Sequence, residues 1–271
     1  MTLNVCVFGN SHLAAVRDGF KRHEGRWPDL NLTFVGAHKN GLAETSCTDG
    51  ILTPESEDAK FSFSRLAGLD QVDLRDTDAI VITGCGFALS RIAWLYRKAR
   101  WAALPSVQSD PAPTKAWSLV SRPAFLAMAT EKLTDELAGR FIRVLRQGTD
   151  VPIYLCSQPR TTTGILTVGK HSLDVLPFAI NSGDAAALSD LYETAAERAG
   201  DALGVRYIAQ NARTITDHVL TADPFTKGAI RLTMKGRYAQ PKDDILHANA
   251  TYGKVVLDQI AVAVRRDLAA R

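Results

Sequence analysis

Five short apolar runs, at 3–8, 31–35, 79–83, 152–156 and 205–209, are separated by longer stretches whose apolar residues recur at helical spacing. This alternation constrains the fold more than any other feature, because strands separated by helical crossovers pair in parallel. Right-handed crossovers then bring the carboxyl ends of the strands to one edge of the sheet. Leu133, Leu137, Phe141 and Val144 mark one helix, with Gly148 as its C′ residue. Leu188, Leu191, Tyr192 and Ala195 mark a second, and Tyr252, Val256, Ile260 and Ala263 mark the last. The expected architecture is α/β, a three-layer α/β/α arrangement around a five-stranded parallel sheet, as a single domain over 1–271.

Charge excludes several classes. The chain has 271 residues, with 32 Lys and Arg against 29 Asp and Glu, and its net charge of +3 is dispersed. A dedicated nucleic-acid binder concentrates a basic excess on one face, so nucleic acid is not an expected partner. No apolar run approaches the roughly 18 residues of a membrane span, and membrane is not expected as a partner either. The opening MTLNVCVFGNSH lacks a basic region and a long apolar core, so no export signal is read there. Cys6, Cys47, Cys85 and Cys156 lie far apart, without a C-x-x-C pair or a His at metal-ligand spacing. Neither a zinc site nor a disulfide framework is expected, and four small core thiols fit a reducing, cytoplasmic setting.

The segments 43–69, 101–123, 157–183 and 210–243 lack strong periodicity. Connections of that length inside a compact domain are usually binding loops, and open α/β sheets bind ligands beyond the carboxyl ends of their strands. Within 91–101, basic and aromatic residues mix around an apolar stripe of Ala88, Ile92 and Leu95, which reads as a solvated basic face on a packed helix.

The first run leads into Gly9-Asn10-Ser11-His12. Ser11 then stands at the carboxyl end of a strand and at the start of a helix, where free N–H groups favour an anion beside its hydroxyl. The same serine would serve equally as an N-cap. Near the other end, Asp244 and His247 stand three residues apart just before the last helix. On one turn that spacing lets the carboxylate accept from one imidazole nitrogen and leaves the other to take a proton from Ser11. Alone, the pair would equally be a capped turn with a surface His.

Together the two motifs resemble the SGNH/GDSL hydrolase superfamily of serine esterases and acyl-transfer enzymes. Gly9-Asn10-Ser11 matches that family's G-D-S block, with Asn10 in the Asp position. Asp244-Ile245-Leu246-His247-Ala248-Asn249 matches its D-x-x-H-P-N block, with Ala248 in the Pro position. The resemblance implies a flavodoxin-like fold and a triad of Ser11, His247 and Asp244. It also implies oxyanion donors: a backbone N–H in the 35–41 loop, for which Gly41 fits better than Gly36, and an Asn side chain after the third strand. That stretch reads Gly84-Cys85-Gly86-Phe87, so the asparagine is missing. Asn40, or backbone N–H groups of Gly84 and Gly86, are the expected substitutes.

Cys85 would face the same cleft but lacks a base of its own, and it reads first as a packed residue. His12 is expected to line the pocket or cap the helix. Arg160 is expected either to bind an anionic substrate group or to pair with a carboxylate, and Trp101 and Trp117 to wall an acyl or sugar pocket. His23, His38, His171 and His218 are read as loop or surface residues. What the resemblance implies overall is an esterase acting on short-chain or acetyl esters, plausibly of a carbohydrate, with no metal and no cofactor. An acyltransferase using the same triad and a non-catalytic binding protein on the same fold are the alternatives.

Overall fold

The computed structural model describes residues 2–109, 117–168, 173–233, 236–241 and 243–269. Its centre is a five-stranded parallel sheet built from β1 (Leu3–Gly9), β2 (Leu30–Gly36), β3 (Ala79–Thr83), β4 (Ile153–Cys156) and β5 (Arg206–Ile208). The strand order is β5-β4-β3-β1-β2, the doubly wound order in which the chain changes direction beside β1. All five expected strands are present, within a residue or two of their expected ends. Every residue of β3 is buried, as both faces of a parallel sheet require.

Register does the positioning. Gly36 pairs with Gly9, Gly9 with Thr83, Thr83 with Cys156, and Cys156 with Ile208, so one row crosses all five strands at their carboxyl ends. Whatever follows each of these residues emerges on the same edge.

Alternate side chains of the strands serve two cores. Val5, Val7, Val81 and Tyr154 pack under α1 (Leu13–Arg22) and the last helix, Ala250–Ala269. Cys6, Phe8, Ile80 and Ile82 pack on the opposite face against Leu89–Lys98, Arg122–Thr134, Leu137–Leu145 and Ala185–Ala202. In chain order these five helices are α2 (Leu89–Lys98), α3 (Arg122–Thr134), α4 (Leu137–Leu145), α5 (Ala185–Ala202) and α6 (Ala250–Ala269). The Phe8 ring meets Phe141 of α4 edge to face, with centroids 5.1 Å apart. On α2, Ile92 and Tyr96 are buried while Trp94 stays half exposed, and Arg91 and Arg97 pair with Glu136 and Asp174, a solvated face on a packed helix.

The apolar stripe 133–144 spans two helices rather than one, broken at Asp135-Glu136 between α3 and α4. Gly148 is not a left-handed C′ residue. It is a close-approach glycine: its carbonyl accepts from Gly50 at 2.8 Å, and a Cβ there would lie 2.6 Å from the Cys47 carbonyl. The aperiodic segments also carry more structure than their sequence suggests. Thr45–Thr48 and Ile51–Pro54 form a hairpin extended by Val72–Asp73, and Val175–Asn181 is a helix. Residues 99–109 are anchored by fully buried Asp184, which accepts from the Tyr96 hydroxyl at 2.5 Å and the Ser106 N–H at 2.8 Å, with Arg100 at 3.8 Å. Among the described residues no helix is long and apolar enough to cross a membrane.

Candidate active site

Beyond Gly9 the chain turns sharply into α1. Asn10 closes the turn, its side-chain oxygen accepting from the His12 N–H at 3.2 Å and its carbonyl from the Leu13 N–H at 3.0 Å. Asn10 therefore does the local capping, and the Ser11 hydroxyl is left for a distant partner.

That partner is His247. Its Nε2 lies 2.9 Å from the Ser11 Oγ, a contact between residues 236 positions apart. Its Nδ1 lies 3.0 Å from an Asp244 carboxylate oxygen. The same carboxylate accepts the backbone N–H groups of Leu246 at 3.3 Å and His247 at 3.2 Å, so the capped-turn and imidazole-orienting readings hold together. Burial pushes the Asp244 pKa up, but the His247 hydrogen bond, its charge and the two backbone donors outweigh this and leave the pKa below the usual carboxylate value. With Asp244 ionised, the proton of His247 sits on Nδ1 and a lone pair faces the serine.

Two contacts hold the geometry. Asn249 begins α6, its side-chain oxygen accepting from the Thr251 and Tyr252 N–H groups while its amide nitrogen donates to the carbonyls of Pro224 and Lys227. Lower down, α6 crosses α1 at Gly19 and Gly253. A Cβ on Gly19 would lie 2.6 Å from the Lys254 nitrogen, and one on Gly253 would overlap the Ala15 carbonyl. Since α1 starts just after Ser11 and α6 just after His247, this crossing fixes how far apart the two side chains stand.

His12 is buried and stacks on His247, with ring centroids 4.8 Å apart and 22° between planes. Desolvation, then the nearness of His247, lowers its pKa to about 3 although Asp244 opposes this, so His12 is neutral at physiological pH.

The expected oxyanion donors are placed otherwise. Gly41 donates its N–H to the His38 carbonyl at 2.9 Å, closing a turn, and has no proton left for a ligand. Asn40 is exposed and accepts from Arg140 at 3.2 Å. Gly84, Cys85 and Gly86 are all left-handed, with φ of 76°, 56° and 79°. This winding sets Gly84 under Asn10 and His12, and turns position 86 away, so that a Cβ there would meet Glu136 at 2.6 Å. The Gly86 N–H donates to the Gln158 side chain at 3.2 Å. Cys85 is fully buried and desolvation pushes its thiol up to about 12, so it is a packed residue.

Neither Arg160 nor Trp101 reaches the cleft. Arg160 is 2% exposed, and its guanidinium donates to Glu193 at 2.7 Å and to Ser189 at 2.9 Å, which selects the carboxylate-pairing reading. Trp101 is 3% exposed and packs edge to face on Phe125 at 5.1 Å. Trp117 sits beside the buried Arg100 guanidinium. His171 lies outside the described residues.

Two hollows meet at Ser11. One, an open cleft of about 360 Å³, runs past His247 to Gln240, Pro241 and Asp243. The other, of about 20 Å³, is enclosed between Ser11, Leu13, Arg17, Ala37 and Leu66. His38 borders both, and its Nε2 is buried without a hydrogen-bond partner. The Gln240 side-chain nitrogen is likewise buried and unpartnered. Reading His38 as a surface residue missed this position. The register explains its place: Gly9 pairs with Gly36, so Ser11 and His38 each stand two residues beyond the same row. Among the described residues no cluster of His, Cys, Asp and Glu could hold a metal ion.

Neither a protein-family model nor a curated protein matches the sequence. Several solved structures resemble it in outline. One is a carbohydrate esterase family 2 enzyme with a carbohydrate-binding domain from Corynascus thermopiles (Myceliophthora fergusii), 11% identical, covering 99% of this chain and 67% of that one at a TM-score of 0.39. Another is an extracellular lipase from Streptomyces rimosus, 13% identical, covering 97% and 100% at 0.40. A third is the periplasmic domain of a lipopolysaccharide acetyltransferase from Salmonella ser. Paratyphi A, 8% identical, covering 97% and 84% at 0.40. At such identities the chemistry rests on the residues of this site.

Proposed function

We propose that this chain is a serine-dependent enzyme of the SGNH type that cleaves or transfers short acyl esters through an acyl-enzyme on Ser11. The observation that carries the reading is the relay of Ser11, His247 and Asp244, with contacts of 2.9 and 3.0 Å between groups from opposite ends of the chain. A hydroxyl is a weak nucleophile unless a base is within reach, and here the base is itself oriented by a carboxylate.

In this mechanism the Ser11 Oγ attacks the ester carbonyl carbon while His247 Nε2 takes its proton. The tetrahedral oxyanion collapses, the bond to the alcohol breaks, and His247 returns the proton to the leaving oxygen. Asp244 stabilises the charged imidazole throughout. Water then enters, gives a proton to His247 and attacks the acyl carbon; that proton returns to Ser11 as the carboxylic acid departs. A hydroxyl compound in place of water yields a new ester by the same steps. The open cleft of about 360 Å³ beside His247 has room for such an acceptor, or for the alcohol portion of a sugar ester. The hollow of about 20 Å³ on the other side of Ser11 is too small for an acyl chain, so the acyl and alcohol portions share the open cleft, which supports an acetyl or similarly short acyl group.

The test is hydrolysis of p-nitrophenyl esters from acetate to octanoate by the wild type and Ser11→Ala. Turnover that needs Ser11 and falls with chain length supports the reading. Wild-type turnover equal to that of Ser11→Ala, together with no labelling by a fluorophosphonate, overturns it in favour of a binding protein.

A further inference from the structure

We propose that His38 donates the hydrogen bond that stabilises the oxyanion, a role the glycine turn after β3 does not fill; this assignment rests on Ser11 being the nucleophile. A tetrahedral intermediate needs donors aimed at the oxygen that gains charge, and removing one from a site built around it costs about 10²–10³ in rate. The turn at Gly84–Gly86 has no side-chain donor, and its left-handed winding commits the Gly86 N–H to Gln158 and sets Gly84 beneath Asn10 and His12. The Gly41 N–H is held by the His38 carbonyl. Neither of these two N–H groups is free for the oxyanion, and a side chain bordering Ser11 can supply a donor in their place.

Size decides what the enclosed hollow receives. A cavity needs about 10–15 Å³ to hold one water, and this one offers about 20 Å³, so it takes a single atom of oxygen or methyl size rather than a chain. Its walls favour oxygen. His38 borders the hollow, its Nε2 is buried without a partner among the described residues, and in the Nε2–H tautomer that nitrogen has a proton to donate. Arg17 brings a guanidinium held by one contact to the Leu66 carbonyl at 3.3 Å, with no carboxylate partner among the described residues, so positive charge stands behind the same space. The Ser11 N–H has no partner among the described residues, and Ser11 borders the same hollow.

The backbone explains why His38 can aim there. The Ala37 N–H bonds the Gly9 carbonyl at 3.1 Å, and the His38 N–H reaches the Ser62 hydroxyl at 3.4 Å, tying this loop to the strand that delivers Ser11. The side chain is thus presented by a braced loop, as a preorganised donor must be. An unpaired buried nitrogen is a cost in the resting protein, and the oxyanion would remove it.

The experiment measures the rate at which a fluorophosphonate labels Ser11, and kcat and KM for p-nitrophenyl acetate, in the wild type, His38→Ala, His38→Gln and His38→Asn. The phosphonyl oxygen develops charge where the ester oxygen does, so labelling reads the donor without the natural substrate. Far-UV circular dichroism and the thermal midpoint check folding. The expected result is a fall of about 10²–10³ in labelling rate and kcat for His38→Ala, with KM little changed, and recovery of at least tenfold in one of the two amide variants. A His38→Ala fall of less than tenfold, a rise in KM at constant kcat, or no recovery in either amide variant overturns the assignment of His38 while leaving Ser11 in place. A wild type that neither labels nor turns over overturns the nucleophile itself, a distinguishable failure.

Discussion

Gly253 of α6 rests directly on the backbone of Ala15 in α1, so closely that a single methyl group at 253 would occupy the Ala15 carbonyl. At the reciprocal position, a Cβ added to Gly19 would lie 2.8 Å from the Ala250 carbonyl oxygen. These helices follow Ser11 and His247 directly, so their separation sets the serine-to-imidazole distance. Gly253→Ala should force the helices apart, destabilise the protein by about 1–3 kcal/mol or more, and displace the pair. A displacement of about 1 Å is enough to lose about 10² in rate. Thermal unfolding and p-nitrophenyl acetate turnover, measured side by side, check this; full activity in Gly253→Ala would dissociate the crossing from the site.

Asp244→Asn tests the orientation of His247. The amide keeps an oxygen for the backbone N–H of His247, but its NH2 then stands at the position that accepts from both the imidazole Nδ1 and the Leu246 N–H. The tautomer reverses, leaving a proton on Nε2 facing Ser11. Turnover should fall by about 10³–10⁴ with little change in melting temperature. Kinetics paired with calorimetry separate this from simple unfolding, which would move both.

His12 makes the fold sensitive to acid. Its folded pKa of about 3 lies below the ordinary 6.5, so the unfolded chain takes up the proton first. The stability this group contributes is complete above about pH 6.5 and is lost as pH falls toward 3, on the order of a few kcal/mol across the window. Asp244, whose pKa is depressed, adds a loss of the same sign at the acid end. Urea unfolding at about pH 7 and about pH 4.5 should show a smaller difference in His12→Phe than in the wild type. An unchanged difference would mean that His12 is protonated in the folded state.

Arg160→Met should cost stability and spare substrate binding. Breaking the contact with Glu193 and Ser189 is expected to cost about 2–3 kcal/mol, below the full value for a buried pair because Glu193 keeps some contact with water. KM for p-nitrophenyl acetate and for an anionic ester should stay as in the wild type. A selective rise in KM for the anionic ester would return Arg160 to the binding site.

The sheet was legible in the sequence because each strand lies in a short apolar run, and parallel order follows from the helices between them. Ser11, Asp244 and His247 were legible because each stands at a strand end or helix start, where local pattern fixes position. The donor side of the site was not. Whether position 86 faces Ser11 or Glu136 depends on three consecutive left-handed residues, one of them Cys85, and a Gly-Cys-Gly tripeptide does not announce that winding. Trp101 misled for a related reason: its place after a helix suits the cleft, but its ring turns inward to Phe125, and Arg160, open in the sequence between the cleft and a carboxylate, turns inward to Glu193. His38 was hidden because its importance comes from the pairing of Gly9 with Gly36, a relation between strands and not within one.

The 236-residue span between Ser11 and His247 also has a meaning in time. As the chain is synthesised the serine precedes His247, and until His247 follows it is an ordinary alcohol without that base beside it. In the proposed mechanism its reactivity begins only when α6 docks across α1, so a probe that labels Ser11 would count closed molecules and pass over partly folded ones. In that mechanism chemical competence and the docking of α6 on α1 are a single event.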